Sequence, residues 1–251
     1  MGIDMQLAGI WKRMAAWLLD IILLAVLAVG AAYLLSAIFR YDAASDALQA
    51  HYDRYEQEYG EDVFQKTPDE MTDEERVLYD QMNQKMHSDK DLLEAYNKVI
   101  NLTMLMISLS ILMATVVLEF VVPLLLKNGQ TVGKKCFGIG LIRNDGVRMN
   151  TLQLFTRSIL GKYTIGTMIP AYIILLVFFG SLGVLGTVIL GLMAIGQIVC
   201  IGITRNNCAL HDLMAGTVAV DLASQKVFEN SDELLAYIKQ LHAERAKREE
   251  Y

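Results

Sequence analysis

The chain has 251 residues, 54% of them hydrophobic, with a mean hydropathy of +0.35 and a formal charge of −6. A soluble domain sits nearer ~45–50% apolar, so the composition excludes an ordinary soluble domain and indicates an integral membrane protein. The three cysteines, Cys136, Cys200 and Cys208, have neither CxxC spacing nor a nearby histidine pair, which argues against zinc and reads as free thiols.

In chain order, residues 1–39 hold a short charged start and the first apolar run, Met14–Phe39, interrupted by Asp20 in "RMAAWLLDIILLAVLAVG". This run is longer than the ~7–15 residues of a signal-peptide core and lacks an A-x-A site, so it is expected to stay in the membrane. Residues 40–97 form a connection with sixteen acids against six bases. Its rhythm is helical. Leu48, Tyr52, Tyr55 and Tyr59 fall on one face; Thr67–Glu70 and Thr72–Glu75 read as capping boxes, and Ser88 as the cap of a third helix through Leu92, Leu93, Tyr96, Val99 and Ile100. Residues 98–126 contain the second apolar run, in which Glu119 is the only charge after Asn101.

Residues 127–162 carry seven bases against one acid, Asp145. "GQTVGKK" (Gly129, Gly133, Lys134, Lys135) is not a P-loop: it has three residues between its glycines and no Ser or Thr after the final lysine. Its glycines suit a sharp turn out of the membrane, with the lysines at the headgroups. "CFGIGLIRNDGVRMN" reads as a hairpin turning at Asn144-Asp145-Gly146. "TLQLFTRSILGKY" reads as an amphipathic interfacial helix capped by Thr151, with Leu152, Phe155, Ile159 and Leu160 toward lipid. Residues 163–203, 41 positions without a charge, suit two spans turning near Gly180–Gly183. Residues 204–251 end in a helix capped by Asn230 with Glu233 and striped by Leu234, Tyr237, Ile238 and Leu241.

The expected fold is therefore an all-α membrane protein with four transmembrane helices. The excess of Lys and Arg in 127–162 places that segment and both termini in the cytoplasm, and 40–97 outside. The basic segment favours anionic headgroups over nucleic acid, since no aromatics interleave with its bases. No cofactor is expected. A hydrolase is disfavoured, because no GxSxG-like setting accompanies His211-Asp212.

The chain resembles the RDD family of bacterial membrane proteins, named for one arginine and two aspartates. Arg13 and Asp20 in "AGIWKRMAAWLLD" match the first two, "GQTVGKKCFGIGLIRNDG" resembles the family's cytoplasmic segment, and "LHDLMAGTVAV" its closing motif, with Asp212 as the second aspartate. The resemblance covers Ala8–Phe39 and Asn101–Asp221, and the insertion 41–98 departs from it. It implies a multi-pass protein of the bacterial cytoplasmic membrane; transport of unidentified ligands is the family's usual suggestion, and some members have been linked to sodium–proton exchange.

Each expected span carries a polar or helix-breaking residue seven or eight positions from its charged end: Asp20, Glu119, Gln197 and Pro170. At ~1.5 Å per residue these lie ~10–12 Å deep. Two carboxylates, an amide and a freed carbonyl would suit a proton or a monovalent cation, with Asp20 and Glu119 as its only expected metal ligands. The competing reading makes Asp20 a structural tie to Gln197 or Trp17 and Glu119 an inert acid. Asp212 is expected to pair with Arg13. Two functions stay open: a small ion or solute transporter, working as an oligomer, and a non-transporting module that recruits partners through the acidic insertion and the C-terminal helix.

Overall fold

The computed structural model describes residues 5–67, 69–126, 129–170, 188–189, 191–192, 194–196, 199 and 210–249. The chain is mainly helical, and two of its helices are long and apolar enough to cross a membrane: Ile10–Phe39 and Lys90–Leu126. The expected third and fourth spans, with their turn near Gly180, Gln197, Cys200 and Cys208, lie almost wholly outside the described residues.

Helix α1 (Ile10–Phe39, 30 residues) is proline-free and about 45 Å long at 1.5 Å per residue, longer than a ~30 Å hydrocarbon layer. Its Trp17, Ile22, Val26, Val29 and Tyr33 are exposed, as befits a helix that is apolar all round.

The chain divides into two compact units, Val29–Ser110 and Met1–Ala28 with Ile111–Tyr251. In the first, α2 (Tyr41–Tyr59), α3 (Glu61–Gln65), α4 (Asp73–Ser88) and the start of α5 (Lys90–Thr115) enclose a small core of Tyr55, Val63, Met82 and Leu92. Leu48, Tyr52 and Tyr59 pack beside it, so the expected aromatic face is the face that is buried. The Thr72–Glu75 capping box opens α4. Two expected caps fall elsewhere. Thr67 and Glu70 close a turn through the Glu70 N–H to Thr67 carbonyl bond, with no helix following directly. Ser88 ends α4, its hydroxyl donating back to the Gln84 and Lys85 carbonyls, and Asp89 Oδ1 instead accepts from the N–H groups of Asp91 and Leu92. Asp89 also receives Arg54 at 2.7 Å and the Tyr55 hydroxyl at 2.9 Å, which ties α2 to the start of α5.

In the second unit, α5 runs into a π-helical turn (Val116–Val121) and then α6 (Val122–Leu126). Pro123 explains the widening. It has no N–H for the Glu119 carbonyl and its ring crowds that oxygen, so the backbone bonds one residue further, Val122 N–H to Val117 carbonyl. Next come α7 (Val132–Cys136), β1 (Ile139–Arg143) and α8 (Thr151–Phe155), which continues as a second π-helical stretch, Thr156–Gly166. Asn150, not Thr151, caps α8, in a box with Gln153. Leu152, Phe155 and Leu160 are exposed as expected, while Leu154, Arg157 and Ser158 point inward. Last are α9 (Leu210–Ala215), β2 (Thr217–Asp221) and α10 (Ser231–Glu249); Asn230 accepts the Glu233 N–H at 2.8 Å.

The all-α expectation needs one addition, a small sheet. The hairpin turn forms, with Gly146 N–H on the Arg143 carbonyl and Arg143 N–H on the Val147 carbonyl. The main partner of β1 is nevertheless β2, antiparallel from Ile139 opposite Asp221 to Arg143 opposite Thr217. A single bridge at Leu7 borders β2, and bridges at Arg148 and Phe228 continue past β1. Ile139, Leu141, Ile142, Val218 and Val220 are buried, so both strands contribute to a core.

Candidate functional site

Asp20 is buried on α1 and both of its oxygens are engaged. Oδ2 accepts the Thr131 hydroxyl at 2.5 Å, and Oδ1 accepts the Gly133 N–H at 2.8 Å. Thr131 in turn accepts the Lys134 N–H at 3.3 Å, so the aspartate closes the start of α7 through the residue that caps it. Gly133 makes this approach feasible. A Cβ there would stand 2.2 Å from the Ala16 carbonyl oxygen and 2.8 Å from Asp20 Oδ1. The left-handed turn expected of this stretch falls to Gly129, at φ +61°. Of its two expected structural partners, Trp17 is exposed and Gln197 lies outside the described residues.

A second set of charges gathers around Glu119. Its Oε1 receives Lys162 Nζ at 2.5 Å, with the carboxylate side chain 7% exposed. Arg157 Nε meets Asp212 Oδ1 at 2.7 Å, with 4% and 12% of those side chains exposed, and His211 Nε2 stands 3.7 Å from Asp212 Oδ2. Burial acts to raise the Asp212 carboxyl, but the Arg157 guanidinium outweighs it and holds the group well below the usual carboxylate range. Burial and the Arg157 charge push His211 down to about 3, so it is neutral at pH 7. The Lys134 ammonium nitrogen is sealed from solvent, and burial, then Lys162 and Arg157, push it down to about 7. Lys134 Nζ and Glu119 Oε2 are buried with no hydrogen-bond partner among the described residues.

The model of the RDD family matches residues 7–216, most of the chain. The chain belongs to the RDD family. No curated protein and no solved structure matches it.

The three residues expected to form the RDD motif thus fall into one unit with separate partners. Arg13 donates to the Ala219 carbonyl of β2 at 2.9 Å, Asp20 holds α7, and Asp212 pairs with Arg157. The expected Arg13–Asp212 pair is replaced, because α9 packs on the Thr156–Gly166 stretch that carries Arg157, whereas Arg13 lies against β2. Asp20 and Glu119 likewise take different partners rather than each other. Pro170 is half-buried, and among the described residues no hydrogen bond or ion pair joins it to either carboxylate. Nor do the described residues contain a group of three His, Cys, Asp or Glu side chains able to hold a metal ion.

The basic segment is less open to lipid than its composition implies. Arg143 pairs with Asp145, Arg148 with Glu229, Arg157 with Asp212 and Lys162 with Glu119, and the Lys134 nitrogen is buried. Lys135 is exposed, and Lys127 lies outside the described residues.

Four residues that matter here escaped sequence reasoning: Thr131, Arg157, Lys162 and Pro123. Arg157 and Lys162 are five positions apart, a spacing closer to the wider π-helical turn than to the α-helical one. Pro123, four residues after Glu119, is the signal that could have located the π-helical turn.

Proposed function

We propose that this RDD-family chain is a small ion–proton exchanger of the bacterial cytoplasmic membrane, with Glu119 rather than Asp20 as the working carboxylate. One observation carries the reading: Glu119 is buried in an apolar helix with one oxygen paired to Lys162 and the other without a hydrogen-bond partner among the described residues. A buried acceptor left open costs ~1–3 kcal/mol or more when charged, so such a position is retained where a ligand or a proton visits it. Asp20 has no comparable opening.

The arrangement proposed is four spans with both termini cytoplasmic, the acidic insertion outside, and Lys127 and Lys135 toward anionic headgroups. It rests on the charge bias of the connections. Cysteines placed at Ser45 and Asp80 are expected to react with an impermeant reagent on intact cells, and those at Asn144 and Ser231 are not; the reverse pattern would overturn it. A homo-oligomer is part of the proposal, since α1 leaves its apolar side chains uncovered in one chain.

The functional test is proton flux in proteoliposomes driven by sodium, lithium or potassium gradients. The reading predicts flux from the purified wild type above that of empty liposomes, and its absence for every cation would overturn it. The second reading, a partner-recruiting module, draws support from the insertion's own core around Tyr55 and Met82. It predicts that a chain lacking flux still captures a partner through that unit.

A further inference from the structure

Among the described residues, the charges of the buried site balance. Three carboxylates contribute, Asp20 from α1, Glu119 from the first π-helical turn and Asp212 from α9. Three cations oppose them, Lys134 from α7 and Arg157 and Lys162 from the second π-helical stretch. His211 of α9, held neutral by burial and Arg157, adds nothing at pH 7. Two of the cations have carboxylate partners: Arg157 has Asp212 and Lys162 has Glu119. Lys134 is the third, and its ammonium forms no hydrogen bond among the described residues although it is sealed from water. It feels both Glu119 and Asp20 electrostatically without pairing to either.

A buried ammonium without a partner is costly, and neutralising it by releasing a proton relieves that cost. Release in turn leaves the site one negative charge in excess, within the electrostatic reach of Glu119, whose Oε2 has no hydrogen-bond partner among the described residues. We propose that Lys134 is the proton carrier of this exchanger, and that one monovalent cation, taken up at the free Glu119 oxygen, replaces its proton one for one. The inference rests on the exchanger reading and deepens it. In the step, a Lys134 Nζ–H bond breaks with its electron pair staying on nitrogen, the proton leaves to bulk water on the side to which the exchanger opens, and the entering cation restores the balance. A divalent ion would leave a buried positive charge, so the site selects monovalent cations. Because one positive charge moves each way, turnover is electroneutral.

The test is thermal unfolding of the purified full chain in detergent, titrated with sodium, lithium, potassium and magnesium chloride against choline chloride. Lys134 is pushed down to about 7. Competition between proton and cation therefore predicts an apparent affinity for the preferred monovalent ion about tenfold stronger at pH 8 than at pH 6, with no effect of magnesium. Lys134→Met should bind that ion equally well at both pH values, and Lys134→Arg, permanently charged, should not bind it at either. Wild-type stabilisation without a pH slope, or a slope that survives in Lys134→Met, would overturn the inference while sodium-driven proton flux kept the exchanger reading standing. Loss of both cation stabilisation and flux would remove that reading itself. If neither variant folds, the wild-type slope decides. Clamping the membrane potential to zero should leave wild-type flux unchanged, and flux that grows with potential would also overturn the one-for-one step.

Discussion

Gly133→Ala should remove most of the folded protein recovered in detergent. The new Cβ would lie 2.2 Å from the Ala16 carbonyl oxygen, a backbone atom of α1 that cannot rotate away, and 2.8 Å from Asp20 Oδ1. α1 and α7 must then separate, which breaks the two hydrogen bonds that Asp20 accepts. Bonds to a charged group contribute ~1.5–3 kcal/mol each, so the expected loss of ~3–6 kcal/mol for the two is a large part of a total of ~5–15 kcal/mol. Gly30→Ala is the control, since a Cβ there meets nothing within 4 Å and an alanine favours the helix by roughly 0.5–1 kcal/mol. Melting temperatures separate the two. If Gly133→Ala proves as harmless as Gly30→Ala, the approach of α7 to α1 is wrong.

The second large effect concerns Arg157 and Asp212. Removing either partner leaves the other buried, at a cost of ~3–5 kcal/mol, so Arg157→Met and Asp212→Asn should each lower the melting temperature sharply. The double variant Arg157→Met with Asp212→Leu should recover much of that loss, because no uncompensated charge is left in the pair. A double variant no better than the worse single would contradict the pairing.

The same residues set the acid response. His211 has a folded value of about 3 against about 6.5 unfolded, so the unfolded chain takes up the proton first and stability falls as pH drops below about 6.5. Asp212 is also depressed. Its contribution is complete above about 4, the unfolded value, and is lost as pH falls through its lower folded value. His211→Gln should therefore flatten the melting profile between pH 6.5 and about 4 and make the fall between about 4 and 3 shallower, leaving the Asp212 contribution in place.

Elements with a strong period were legible in the sequence. The two long apolar helices, the buried Tyr55 face and the Thr72 and Asn230 caps each follow from residues within a turn of one another. Long-range pairing was not legible. Nothing local in "TVAV" says that Thr217–Asp221 pairs with Ile139–Arg143, some 75 positions earlier. Arg13 and Asp212 are charges expected near one membrane boundary, and only the packing shows that Arg13 meets Ala219 while Asp212 meets Arg157. Arg157 lies in a segment whose pattern suits an amphipathic interfacial helix, and only the packing of α9 on its stretch turns the guanidinium inward. A carboxylate inside an apolar run needs a partner or a proton, and the groups that Asp20 meets lie 111 and 113 positions away at Thr131 and Gly133. The same pairing removed Lys134 from the headgroups, since α7 carries it into the charge cluster.

The central claim is that Asp20 holds α7 in place while Glu119 performs the exchange. Sodium-driven proton flux in proteoliposomes, normalised to monodisperse protein and compared between Asp20→Asn and Glu119→Gln, tests it most directly. Asp20→Asn should lower the melting temperature, because the amide replaces a charged acceptor of two buried bonds, and should weaken but not abolish flux in the molecules that fold, because Glu119 keeps its open oxygen. Glu119→Gln should abolish flux in protein that is still monodisperse. Flux that survives in Glu119→Gln but vanishes in well-folded Asp20→Asn would contradict the account and make Asp20 the working carboxylate.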